Sequence, residues 1–524
     1  MLSSIKRFMV TIAYLKPIQI YYRVYYFLRK IIRTKLNITY PFSLSSNVTT
    51  LVLHDSINSL ESLEGRRFSF LNKSYQFKND VDWNTAVYGK LWTYNLTYFD
   101  YLNQKYMPKE KGLELIHDFI RKMPDIKDGL EPFPISLRGI NWIKFLIKHQ
   151  LEDDKIDNSL YAQYFILMDN IEYHLLGNHL LENGFSLLFA AYYFKDDKLY
   201  AKAREILNSE LEEQILSDGA HFELTPMYHQ IMFFRVLDCI NLLQNNIWKE
   251  DQLLSLLLSK ASLMRRWLNE MTFSNGEMPL FNDSANGIAA TTRELNTYAD
   301  ELGVKSSDVQ LSASGYRKMK TEQYECVVDV GNIGPDYIPG HAHSDTFNFE
   351  LYIKGLAFIV DTGTSTYETN TKRTSERSTR AHNTVMINNV EQSEVWGGFR
   401  VASRAKVQNI VEKKDYISAV HDGYVKKFDI LHQREFFFHE NSIRLVDTLH
   451  TNRKYQAIAR IHFAPNIELS IEGTLVLCDG VEIHCSSKDI SMSNYAYAKE
   501  FNKTIDAKMI EIAFNNTLEL EIKI

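Results

Sequence analysis

Leu311-Ser312-Ala313-Ser314-Gly315-Tyr316 divides the sequence into two textures. Upstream, from about residue 80 to 300, apolar residues recur at spacings of three and four, the period of a helix with one buried face. The spacing predicts helices over Leu113–Met123, Ile140–Lys148, Tyr161–Leu176, Phe185–Tyr193, Tyr200–Glu213, Ile231–Leu243 and Leu253–Leu268. Polar breaks such as Asp218-Gly219 and Ser274-Asn275-Gly276 separate them. This reads as stacked antiparallel helix pairs without a strict sequence repeat. Downstream, short alternating runs take over, among them Glu325–Val330, Thr346–Ile353, Ile417–His421, Ile443–Val446, Ala457–Phe463 and Val481–Cys485. Many short strands at such intervals predict a large antiparallel sandwich. A helical half followed by an all-β half implies two units with a cleft between them.

The chain has 524 residues, 45% hydrophobic and 24% charged, enough to bury a large core without staples. Cys239, Cys326, Cys478 and Cys485 are too few and scattered for a disulfide framework, although Cys478 and Cys485 can pair across neighbouring strands in an oxidising compartment. The net charge of −6 hides an asymmetry: eight basic residues precede the first acidic one, Asp55, so the remainder carries −6 − 8 = −14. An acidic body of this kind is not built for nucleic acid. The basic N-terminus, with Tyr21, Tyr22, Tyr25, Tyr26 and Phe27, can touch an anionic membrane surface, or can be a packed helix with a solvated basic face. The apolar run Phe8–Leu15 is far short of the roughly 20 residues that span a bilayer. Lys16-Pro17 follows it without a small-residue cleavage site, so it does not read as a signal peptide. Aromatic residues, 13% of the chain, suit a cleft for sugar rings, which stack on aromatic faces.

Three constellations carry candidate chemistry. In Asn178-His179-Leu180-Leu181-Glu182, His179 and Glu182 share a helical face and can position a proton or hold a substrate carboxylate. In Glu223-Leu224-Thr225-Pro226-Met227-Tyr228-His229, Pro226 suits the first turn of a helix, which places Tyr228 where the helix dipole can lower a phenol's pKa. In Gly340-His341-Ala342-His343-Ser344-Asp345, the two histidines of an extended segment point to one side. With Asp361 and His382 on neighbouring strands they make a zinc-ligand set, or a group of satisfied histidines.

These segments, with Val360-Asp361-Thr362-Gly363, Arg377–Val385, Leu91–Leu96, Pro134–Trp142 and Pro279–Ser284, resemble the heparinase II/III family of polysaccharide lyases in the family's order, from about residue 85 to 460. The resemblance implies an N-terminal incomplete (α/α) toroid followed by a C-terminal antiparallel β-sandwich. Its boundaries here are a basic, aromatic helical extension over 1–80, the toroid over 81–310 and the sandwich over 311–524. It implies a carbon–oxygen lyase that cleaves a uronic-acid-containing polysaccharide by β-elimination, leaving 4,5-unsaturated uronate ends. Asn178, His179 and Glu182 would neutralise the uronate carboxylate, with Tyr228 and His341 as the catalytic pair. Arg138, Asn141, Trp142, His229 and Asn383 would bind substrate. His343, Asp361 and His382 would hold a structural zinc ion, and no organic cofactor is implied. The partner would be an acidic polysaccharide, weakly sulfated in view of the acidic body. The family implies the cell envelope or periplasm, with the cytoplasm as the alternative. Two other readings stay open: a hydrolase using Asp218 and Glu223, and a non-catalytic polysaccharide-binding protein of capsule or exopolysaccharide synthesis.

Overall fold

Residues 2–524 are described in the computed structural model, with side chains from residue 5 onward. Helices run from Lys90–Tyr98 to Thr292–Glu301 and pack as neighbouring pairs, among them Gly177–Phe194 on Asp197–Gln214 and Pro226–Asn245 on Leu253–Met271. Their starts are chemically marked. The Asp153 and Asp196 side chains each accept two backbone N–H groups, and Thr291 and Glu294 form a capping box. Each such cap is worth about 1 kcal/mol. Residues from Leu51 to Tyr352 share one continuous apolar core. The architecture is the incomplete α/α toroid that the family resemblance implied, built from the helix pairs that the periodicity predicted.

The stretch Leu311–Tyr316, where the texture changes, ends on Tyr316, which opens the first strand of the β-half. That half contains an eight-stranded antiparallel sheet and two four-stranded ones. In Leu431–His439 and Ser442–His450 every second residue is buried, so Phe436, Phe438, Ile443 and Leu445 enter a second core shared between the sheets. The longest strands, Ile490–Glu500 and Lys503–Phe514, pair with each other and were not among the expected ones. All four cysteines are buried and unbonded.

Two expectations need correction. The N-terminal extension is helical only over Leu2–Ala13 and Pro17–Lys35; Leu63–Glu64, Arg67–Phe70 and Lys73–Gln76 form a small antiparallel sheet. Phe68 and Phe70 of that sheet pack edge-on against Tyr101 and Trp92, which explains a sheet in front of a helical domain. The helix expected over Tyr161–Leu176 ends at Asp169, and the turns that follow deliver Glu172 to the cleft region. Among the described residues no helix is long and apolar enough to cross a membrane.

Candidate active site

The site forms where the starts of two toroid helices meet coil from the β-half. Gly177 opens the first of these helices with φ +60°. A Cβ there would stand 2.8 Å from the Glu223 carboxylate, so glycine is what lets Glu223 approach. The Asn178 backbone N–H and side-chain amide both donate to that carboxylate, at 3.1 Å each. Burial pushes the Glu223 carboxyl above its ordinary pKa, opposed by the nearby His341 and by the Asn178 bond. His179, partly exposed, lies 3.1 Å from Glu172 through Nδ1. Burial pulls its imidazole down, but the charge and hydrogen bond of Glu172, with the charges of Glu223 and Glu182, together offset this and leave it above its ordinary value.

Tyr228 occupies the first turn of the helix Pro226–Asn245, and its ring lies 4.1 Å from the His341 ring. Its hydroxyl is 3.4 Å from that of Tyr367. The helix dipole does not control this phenol. Burial pushes it above its ordinary value, which favours the neutral phenol. His341 Nδ1 is 2.9 Å from Asp283, and Nε2 is 3.9 Å from the Glu223 carboxylate. With Nδ1 donating to Asp283, Nε2 carries the free lone pair, the arrangement of an oriented general base.

Asp283 is the hub of this wall. It accepts from His341 and from His343 Nε2 at 2.9 Å, and both its oxygens pair with Arg373, one at 2.6 Å. Burial alone would raise its carboxyl; Arg373 and the two histidines hold it well below the usual carboxylate range. The adjacent Asn282 ties the halves together, donating to Leu224 O and accepting from the His343 N–H, each at 2.9 Å.

The structure thus brings Asn178, His179, Tyr228 and His341 together but not Glu182. That carboxylate is fully buried and 2.8 Å from Arg235, inside the toroid. Glu223 takes the place by Asn178 that Glu182 was expected to hold. The five expected substrate-binding residues are also corrected, since all are buried. Arg138 donates to Thr97 O, Gly129 O and Gln163. Asn141 donates to Tyr98 O, and Trp142 packs edge-on against Phe99 and Phe119. His229 accepts the His221 N–H and reaches Met264 O at 3.0 Å, with its imidazole pulled by burial down to about 3. Asn383 donates to Phe349 O and Val360 O. Arg138, Asn141, His229 and Asn383 brace backbone, and Trp142 packs in the aromatic core.

Among the described residues no group of three or more His, Cys, Asp or Glu is arranged to hold a metal ion. Asp361 lies 2.8 Å from His382 Nδ1 and so orients that ring. His343 Nδ1 and His382 Nε2 are nevertheless buried without a hydrogen-bond partner, on rings 5.3 Å apart. Two unpaired imidazole nitrogens with a carboxylate behind one of them fit a two-histidine metal site. Asp218, one of the two carboxylates that the hydrolase reading would use, is buried and accepts the Ser312 and Ser314 N–H groups and the Ser314 hydroxyl.

Sequence reasoning named Glu223 only as a hydrolase carboxylate and passed over Asp283, Arg373 and Glu172 as parts of this site. Asp283 lay within a family-like motif, which was the available signal.

The fold is shared with solved structures. A heparinase III crystal structure superposes with a TM-score of 0.66 at 16% identity, covering 86% of this chain and 80% of that one. The chondroitin AC lyase of Streptomyces coelicolor, solved in complex with chondroitin sulphate, gives 0.53 at 8% identity, covering 82% of this chain and 74% of that one. By sequence, the chain is 24% identical over 258 residues to the heparin-sulfate lyase of Bacteroides stercoris, a match spanning 42% of this chain and 37% of that protein. The chain therefore aligns with little more than a third of the length of that curated relative. Residues 142–307 match the model described as the heparinase II/III N-terminus and residues 304–524 the one described as heparinase II/III-like, C-terminal. Two adjoining matches from residue 142 to the last residue, on a toroid joined to a sandwich, mean that this chain belongs to the heparinase II/III family.

Proposed function

We propose that this protein is a polysaccharide lyase that cleaves a uronic-acid-containing polymer by β-elimination. The observation that carries the reading is the pairing of Tyr228 and His341 from opposite halves, 4.1 Å apart, with His341 oriented by Asp283. The C5 proton of a 4-linked uronate is acidic only if the neighbouring carboxylate is neutralised, because its removal gives an enolate-like dianion. In this reading Asn178 and Glu223 would meet that carboxylate: the Asn178 amide, which donates one N–H to Glu223, has a second to offer, and burial favours the protonated form of Glu223. His341 Nε2 takes the C5 proton and the neutral Tyr228 phenol protonates the departing O4. This division suits a sugar whose C5 proton and O4 lie on opposite faces. The C5–H and C4–O4 bonds break, the C4–C5 double bond forms, and no water is consumed.

The names of the relatives direct the substrate search to glycosaminoglycan-like polymers. The excess of acidic residues outside the N-terminus favours a weakly sulfated one, because sulfated chains select Lys/Arg patches. A zinc-type cation, where present, would be held by His343 and His382 with Asp361 behind His382, and would supply fixed positive charge that organises the loop carrying His341. Elemental analysis of protein purified without chelator should find about one metal ion per chain; far less would remove the metal from the account.

The activity is tested on heparan, hyaluronan, alginate and capsular polymers. Growth of ultraviolet absorbance marks the conjugated product. New reducing ends without that absorbance would mean hydrolysis, and neither signal would mean binding alone.

A further inference from the structure

The helix Pro17–Lys35 is inside out. Its inward stripe, at alternating spacings of three and four, is Gln19, Tyr22, Tyr26, Arg29 and Arg33. These residues make specific polar and aromatic contacts with the toroid turn at 169–175. Gln19 donates to Leu175 O at 3.0 Å, the Tyr22 ring stacks on Tyr173 at 4.7 Å, and Arg29 and Arg33 pair with Asp169 at 2.9 and 3.2 Å. The outward face is apolar: Ile20, Val24, Phe27, Leu28 and Ile31 are exposed, Phe27 at 63% and Leu28 at 52%. The preceding helix, Leu2–Ala13, adds exposed Phe8 and Met9 and is tied to the β-half by Arg7 on Glu394 and Trp396 on Thr11.

A globular helix normally turns its apolar stripe inward. Here the polar stripe is pinned to the body, so the apolar one cannot rotate inward. A contiguous exposed apolar patch of this kind marks an interaction surface. Its charge identifies the partner. Arg23, Lys30 and Lys35 are exposed on the same helix, and no acidic residue occurs before Asp55. Two copies meeting through this face would set like charges against each other. An anionic lipid surface satisfies both features at once, with apolar side chains entering the headgroup boundary and cations meeting lipid charge.

We propose that the two N-terminal helices form a platform that seats the protein on an anionic bilayer surface. The platform leans on the turn that carries Glu172, the partner of His179, so docking brings the cleft close to the membrane.

The test is flotation of the full chain with phosphatidylcholine vesicles, with and without phosphatidylglycerol. The protein should float with the anionic vesicles, release at high salt, and stay behind with the neutral ones. Phe27→Glu combined with Ile31→Glu should weaken flotation by at least about tenfold, and Lys30→Glu with Lys35→Glu likewise. All four positions are exposed, so melting curves should not change. Failure of the native chain to float with anionic vesicles, equal flotation with both kinds, or unchanged flotation of the Phe27/Ile31 variant would each overturn the proposal. So would a dimer in sedimentation velocity that the Phe27/Ile31 variant breaks in the absence of vesicle binding.

Discussion

On the helical wall of the cleft, Asn178, His179 and Tyr228 stand in the first turns of two helices, so their backbones are fixed by ladders already in place. On the β wall, His341 and His343 lie in coil between the strands Tyr324–Asp329 and Phe349–Ile353, and their fixation comes from Asp283, a residue of the other half. In the proposed mechanism the helical wall would supply the proton donor from rigid local structure. The β wall would supply the base, held by one buried carboxylate that crosses the domain boundary. Losses on the two sides should therefore differ in kind.

The largest effect is expected for Asp283→Ala. It strips the partner from buried Arg373 and the acceptor from two histidines. Breaking a buried pair by removing one member costs about 3–5 kcal/mol, and activity should disappear with the lost orientation of His341. Denaturant unfolding checks the first part; stability within about 1 kcal/mol of the native chain would show that the β wall does not rest on this residue. Next comes Trp142→Ala, which should cost about 3–5 kcal/mol while the folded fraction keeps its KM, because the ring packs against Phe99 and Phe119 rather than sugar. His179→Ala should do the reverse, slowing turnover with little change in melting. A raised KM in a fully stable Trp142→Ala protein would return that residue to the groove.

The smallest effect concerns Glu325, which joins the halves by accepting the Ser274 N–H at 2.8 Å and pairing with Lys318 at 3.0 Å. Burial would raise its carboxyl; Ser274 and Lys318 hold it down to about 2. The folded value lies below the unfolded one of about 4.3. Its stabilisation is thus complete above about pH 4.5 and lost as pH falls toward 2. The melting difference between the native chain and Glu325→Gln should shrink across that window. A difference independent of pH would mean that the ionised group contributes nothing.

The sequence carried the broad architecture because periodicity survives wherever one face is buried; the expected boundary, with the sandwich from residue 311, lies five residues before the first strand of the β-half at Tyr316. It carried much less of the site. The helix Gly177–Phe194 is buried on almost every residue, so it has no polar face, and the shared-face rule for His179 and Glu182 did not separate cleft from core. Arg138, Asn141 and Asn383 look like ligand residues in one dimension; only their backbone partners reveal them as braces. Glu223 meets Asn178 across 45 residues, and Asp283 meets His341 across 58, separations at which no local pattern operates. The strand Ile490–Glu500 was missed because many of its residues remain partly or fully exposed and its polar face interrupts the expected alternation.

The central claim is that a tyrosine on the helical wall and a histidine on the β wall share one elimination, and Tyr228→Phe tests it most directly. The change removes only a hydroxyl whose hydrogen-bond partner among the described residues is Tyr367 at 3.4 Å, so the fold should survive. On whichever uronate polymer the native chain cleaves, followed by ultraviolet absorbance, turnover should fall by about 10²–10⁴-fold with an unchanged melting curve. Turnover within about threefold of the native chain, at equal stability, would make the tyrosine a packing residue and contradict the mechanism.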